Sequence, residues 1–219
     1  MCNGSGNGGQ VRDRTETLVL GIGNLLWADE GFGVRAVEAL HAAYEFPAEV
    51  TLQDGGTLGL NLYEQVANAQ RVLVFDAIDF NLAPGTLRVL RDDEVPVWSD
   101  TTMSLHQASF MELLSLARLR ERFPQRITLI GVQPEVLDNL GGSLSPLVRA
   151  RLDEAVALAV AELAAWGIAA TPRTAPPAEA LNAAPLALLD YEQGRPAESA
   201  ACRVGDARFL NQVHGGESA

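Results

Sequence analysis

TLVLGIGNLLWADEGFGVRAVEAL, Thr17–Leu40, passes from one hydrophobic period to another. Its first seven residues are a β-branched and leucine run closed by glycine, the pattern of a buried strand. From Gly31 to Phe46 the apolar residues Val34, Val37, Leu40 and Tyr44 recur at three- and four-residue spacing. That spacing predicts a helix with one buried stripe. Gly21 and Gly23 close the first run, and the loop that follows holds two adjacent acids, Asp29 and Glu30. A dinucleotide fingerprint needs a third glycine to let helix and strand pack closely. Leu26 stands there instead, and a pyrophosphate at the helix start would face two carboxylates. The loop therefore reads as a strand exit that delivers an acid, and no nucleotide is expected. Gly21, Gly23 and Asn24 all tolerate the left-handed backbone such a turn uses. Asp29 is expected to orient the loop or cap the helix behind it.

The alternation continues outward. EVTLQDGG (Glu49–Gly56), RVLVFDAIDF (Arg71–Phe80) and RITLIGVQP (Arg126–Pro134) read as further strands, the last stopped by its proline. LGLNLYEQVA (Leu58–Ala67) and SLHQASFMELLSLARLR (Ser104–Arg120) read as helices, the second burying Phe110, Leu113, Leu114 and Ala117. SPLVRARLDEAVALAVAELAAW (Ser145–Trp166) predicts one long helix, capped by Ser145 with Pro146 in its first turn. PGTLRVLRD (Pro84–Asp92) follows a Pro-Gly turn and suits an antiparallel excursion. Strands alternating with helices predict an α/β fold. We expect a three-layer sandwich: a mostly parallel central sheet of about five strands with helices on both faces. Residues 1–16 read as a flexible arm, 17–167 as the α/β domain, and 168–219 as a C-terminal extension, partly ordered. Its TPRTAPPAEALNAAP stretch is linker-like, a short helix is expected at Leu186–Glu192, and GDARFL can pack back.

The 28 acidic residues outnumber the 16 basic ones, for a net charge of −12. That balance argues against nucleic acid and against an anionic membrane. No apolar run reaches the length of a membrane span, and the N-terminal residues lack the apolar core of a signal peptide. No stable membrane insertion and a cytoplasmic location are expected. The two cysteines, Cys2 and Cys202, have no partner at zinc-ligand spacing.

Open parallel sheets place their sites beyond the strand carboxyl ends. Glu30 follows the first strand, and Asp76 ends an apolar one, where a carboxylate must be solvated, paired or metal-bound. His106 begins the helix that returns over that rim. A Glu, an Asp and a His make an open first shell for a transition metal, and the imidazole favours Ni, Zn or Co over Mg. His41 and His214 are poorer candidates by position. Asp54, Gly55 and Gly56 end the second strand, where a β-turn accounts for them.

With these residues in view, the chain resembles the maturation endopeptidases of nickel–iron hydrogenases. The resemblance rests on GIGNLLWADEGFGV (Gly21–Val34), DGGT (Asp54–Thr57), FDAIDF (Phe75–Phe80), SLHQ (Ser104–Gln107) and IGVQPE (Ile130–Glu135), in order from about Leu18 to Trp166. DYEQGRP and CRVGDARFL look like the tail of members serving uptake-type, membrane-associated hydrogenases. The resemblance implies a peptidase domain over 17–167 and a metal-binding, catalytic trio at Glu30, Asp76 and His106. It implies that the metal is nickel carried by the substrate, the immature precursor of the hydrogenase large subunit. The enzyme would then cut a short C-terminal peptide just after a His or Arg. It places Asp54, Gly55 and Gly56 on the docking rim, and Gln107 beside His106. Whether Glu30 or Asp76 acts as general base stays open at this level. So do three rivals: a nickel-dependent checkpoint chaperone or binding protein without peptidase activity, a peptidase with its own zinc, and a Rossmann-type oxidoreductase.

Overall fold

The computed structural model describes the backbone of residues 17–97 and 105–195, with side chains at 17–95, 110–183 and 185–195. Five strands form the main sheet: β1 (Thr17–Ile22), β3 (Val50–Gly56), β4 (Arg71–Ala77), β5 (Leu87–Arg91) and β6 (Arg126–Val132). Their order is β3-β1-β4-β6-β5. The first four run parallel, and β5 pairs antiparallel with β6, as the Pro-Gly turn predicts.

Strand alternation sends the buried side chains to two cores. Leu18, Leu20 and Ile22 of β1 pack with Val72 and Val74 of β4 under α2 (Tyr63–Asn68) and α4 (Leu105–Leu119). Phe110, Leu113, Leu114 and Ala117 of α4 are buried in that core. Val19, Leu73 and Phe75 face the other way, under α1 (Phe32–Ala43), α5 (Pro146–Arg149) and α6 (Leu152–Ala165). The result is the three-layer arrangement with helices on both faces. Among the described residues no helix is long and apolar enough to cross a membrane.

Four local expectations are corrected. First, α1 stops at Ala43, short of Phe46. Tyr44–Glu45 instead forms β2, paired with β7 (Thr171–Pro172). The cause lies about 130 residues away: Arg173 Nε donates to the carbonyls of His41 (2.9 Å) and Tyr44 (3.0 Å) and so satisfies acceptors at the helix's end. Second, the expected long helix is two, α5 and α6. Ser145 caps α5 through Val148 N–H and Pro146 opens it, but Arg151 N–H reaches back three residues, to Val148 O, and tightens the chain there. Third, Gly59–Leu62 is a 3₁₀ turn, and only Tyr63–Asn68 is α-helix. Fourth, the tail helix α7 spans Leu188–Gly194. A short helix that the pattern does not announce, α3, covers Glu94–Val97. GDARFL, Cys2 and Cys202 lie outside the described residues.

Candidate active site

The chain leaves β1 for β3 on one side and returns to β4 on the other, so β1 and β4 flank the point where strand order reverses. Crevices for ligands open there, beyond the carboxyl ends. The loop after β1 carries Glu30, and β4 carries Asp76 as its penultimate residue.

Backbone contacts build the Glu30 loop. Asn24 N–H donates to Glu30 O at 3.1 Å, Glu30 N–H donates to Trp27 O at 2.9 Å, and Asn24 Oδ1 accepts from Leu26 N–H at 3.0 Å. Gly23, with φ at +140°, leaves no room for a side chain: an added Cβ would lie 1.8 Å from Glu30 O. Gly21 is glycine for a different reason than turn formation. Its Cβ would stand 2.3 Å from Gly33 O, in the first turn of α1. The left-handed residue inside the loop is Ala28, at φ 43°, and Asn24 is not left-handed. Gly33 in turn lets α1 sit on the strand ends, since its Cβ would lie 2.2 Å from both Ile22 O and Phe75 O. The 3₁₀ turn Ala28–Gly31 thus packs against β4.

The two acids have separate fates. Asp29 is fully buried. Its Oδ2 accepts the N–H groups of Glu135 (2.9 Å) and Val136 (2.8 Å), and its Oδ1 accepts that of Ser145 (2.7 Å). Three charge-assisted bonds compensate the burial of this carboxylate. Asp29 therefore orients the loop, by tying it to the segment after β6, and does not cap α1. Glu30 remains half-buried at the rim. Asp76 is buried, with Oδ1 accepting from Ala77 N–H at 2.8 Å.

His106 lies in the first turn of α4, whose buried face shares a core with Ile78, two residues past Asp76. The side chains of His106 and Gln107 lie outside those described. Among the described residues no three His, Cys, Asp or Glu side chains group as a metal cage. Two carboxylates flanking the switch point, with an imidazole-bearing turn, are oxygen and nitrogen donors suited to a transition ion.

Asp54 pairs with Gly21, and Gly56 with Ile22, so Gly55 is the extra residue of a bulge that bends the end of β3. Gly56 N-terminal of the turn has φ 44° and its carbonyl accepts from Gly23 N–H at 3.0 Å, joining this rim to the Glu30 loop. Among the described residues Asp54 Oδ1 is buried without a hydrogen-bond partner, beside a cavity of about 410 Å³ bounded by Leu52–Leu58, Leu181 and Asn182.

One organiser escaped the sequence reading. The Gln133 side chain accepts from Phe80 N–H (2.8 Å) and Leu82 N–H (3.2 Å) and donates to Asp79 Oδ1 (3.1 Å). It shapes the loop that follows Asp76. Its only signal was a polar residue ending an apolar strand just before Pro134. The C-terminal extension also reaches this rim. Tyr191 Oη donates to Gly142 O at 3.2 Å, and Glu192 accepts from Ser143 Oγ at 2.8 Å and pairs with Arg149.

A doubly wound sheet with paired acids at its switch point defines a class, and the comparisons specify it. The chain belongs to the hydrogenase maturation protease family, whose HycI model matches residues 34–162. It is thus a hydrolase acting on peptide bonds. The hydrogenase expression/formation protein HupM of Azotobacter chroococcum mcd 1 is 54% identical over 89% of this chain and 93% of its own length. HupD of Rhodobacter capsulatus is 51% identical, covering 88% and 92%. The solved hydrogenase maturating endopeptidase HybD of Escherichia coli is 41% identical, with a TM-score of 0.70 over 73% of this chain and 98% of its own.

Proposed function

We propose that this chain is the endopeptidase that removes a C-terminal peptide from the nickel-loaded precursor of a [NiFe] hydrogenase large subunit of the uptake type. The observation that carries the reading is the placement of Glu30 and Asp76 on either side of the switch point, with α4 opening over the same rim. The nickel is substrate: it arrives on the precursor. Glu30, Asp76 and His106 complete its coordination, and so hold the scissile bond against the rim. Bound nickel polarises a carbonyl or lowers the pKa of water. Glu30 or Asp76 takes the proton of the attacking water, since both carboxylates border the crevice. Asp54, Gly55 and Gly56 form the docking edge on the β3 side.

The test is a processing assay on purified nickel-loaded and nickel-free precursor, with mass spectrometry of the C-terminal peptide. We expect release only from loaded precursor, and its loss in Glu30→Gln and His106→Ala. Equal cleavage without nickel would instead mean an enzyme with its own metal. Nickel-dependent binding without any cleavage would mean a checkpoint protein.

A further inference from the structure

A peptidase that recognises a folded precursor needs more surface than a cleavage crevice, and the carboxyl rim has it. Each of the four parallel strands runs into a loop carrying an exposed leucine. These are Leu58 and Leu60 after β3, Leu26 after β1, Leu82 after β4, and Leu137 and Leu140 after β6, all between 38% and 50% exposed. Singly, exposed leucines are ordinary; a contiguous set around a site marks an interaction surface. Here they are held together. Trp27 bridges Leu140 in antiparallel fashion, and Gly141 N–H donates to Leu26 O at 2.7 Å. The Asp29 carboxylate clamps the same two loops from beneath. The β3 loop is joined to them through Gly23 and Gly56. The leucines are thus presented on braced backbone, which lowers the ordering cost of binding.

We propose that these leucines form the docking surface for the folded body of the precursor, ringing an acidic centre that receives its metal-bearing tail. The occupant follows from continuity. The loop with Leu26 carries Glu30 and the loop with Leu82 follows Asp76, while the loops after β3 and β6 are tied to the Leu26 loop through Gly56 and Gly141, so a protein whose tail reaches those carboxylates must cover them. The partner's chemistry is an apolar patch surrounding the exit of a cationic segment. This inference rests on the protease reading above.

The test measures kcat and KM on loaded precursor for Leu26→Ser/Leu140→Ser and, independently, Leu58→Ser/Leu60→Ser. Leu119→Ser, at the far end of α4 and 82% exposed, is the control. Losing two exposed apolar anchors is expected to raise KM about tenfold while kcat stays within about twofold and thermal stability holds. Leu119→Ser leaves both constants unchanged. A parallel titration in the Glu30→Gln background reads Kd without cleavage, and the same about tenfold weakening is expected there. Wild-type KM and Kd in both leucine pairs would overturn the docking surface. Binding that depends on the leucines, in a protein that never cleaves, would sink the protease reading and leave the docking surface standing.

Discussion

Asp29 Oδ1 accepts the backbone N–H of Ser145 at 2.7 Å, joining residues 116 positions apart. The same carboxylate takes two more N–H groups, from Glu135 and Val136. The residue beside the candidate metal ligand therefore fixes the loop that presents it.

Replacing Asp29 by Asn removes the charge and sets an amide N–H₂ against backbone donors. Because the site is buried, the orphaned donors keep their desolvation cost. We expect a loss of about 2–3 kcal/mol in urea unfolding, with processing reduced further than the lost stability explains. An Asp29→Asn protein as stable as wild type would refute the clamp.

Gly23 and Gly141 both have positive φ, but their surroundings differ. An alanine at Gly23 meets Glu30 O, whereas nothing lies within 4 Å of a Cβ at Gly141. Gly141→Ala is expected to cost about 1 kcal/mol, the backbone penalty alone. Gly23→Ala should cost at least about 3 kcal/mol and abolish processing, since the Glu30 backbone must move. Thermal unfolding of the two variants side by side checks the order.

Two groups make the fold acid-sensitive. Burial works to raise the Glu162 carboxyl, but hydrogen bonds from Arg91 and Thr128 outweigh it and hold the group below its ordinary 4.5. A depressed carboxyl contributes stability above its unfolded-state value and loses it as pH falls through the folded one. Burial, and then Arg173, lowers His41 below 6.5. The unfolded chain then binds the proton first, so stability falls as pH drops below about 6.5. Denaturation between pH 7.5 and 4 should show both slopes. His41→Gln should flatten the upper one, and Glu162→Gln the one below 4.5. An unchanged profile in either variant counts against its assignment.

Glu192 links α7 to Ser143 and Arg149, next to the segment that Asp29 holds. The pair is partly exposed, so Glu192→Gln should cost under about 1 kcal/mol globally. Locally the effect is larger. Hydrogen exchange at Tyr191, whose N–H donates to Ala187 O, should speed up several-fold while the β4 amides stay protected. Unchanged exchange would mean that the other contacts, the Tyr191 Oη–Gly142 O bond and the packing of Leu188 among them, hold the extension down.

The sequence by itself determined the layers. Period-two and continuous apolar runs set the strands, and the three-to-four spacing set α1 and α4, because burial of one face is encoded locally. The Pro-Gly turn set the antiparallel β5. The candidate carboxylates Glu30 and Asp76 were legible too, since an acid closing an apolar strand in a parallel sheet must emerge at the carboxyl rim. What only the tertiary structure decided depends on partners distant in the chain. Arg173 ends α1 early by satisfying carbonyls that no local residue caps. Gly21 is required by the approach of Gly33, not by its own dihedrals. Gln133 shapes the loop beyond Asp76 from another strand. Above all, the sequence left Asp29 either orienting the loop or capping α1. The fold, by aiming three backbone N–H groups at its carboxylate, made Asp29 a clamp and left Glu30 at the rim.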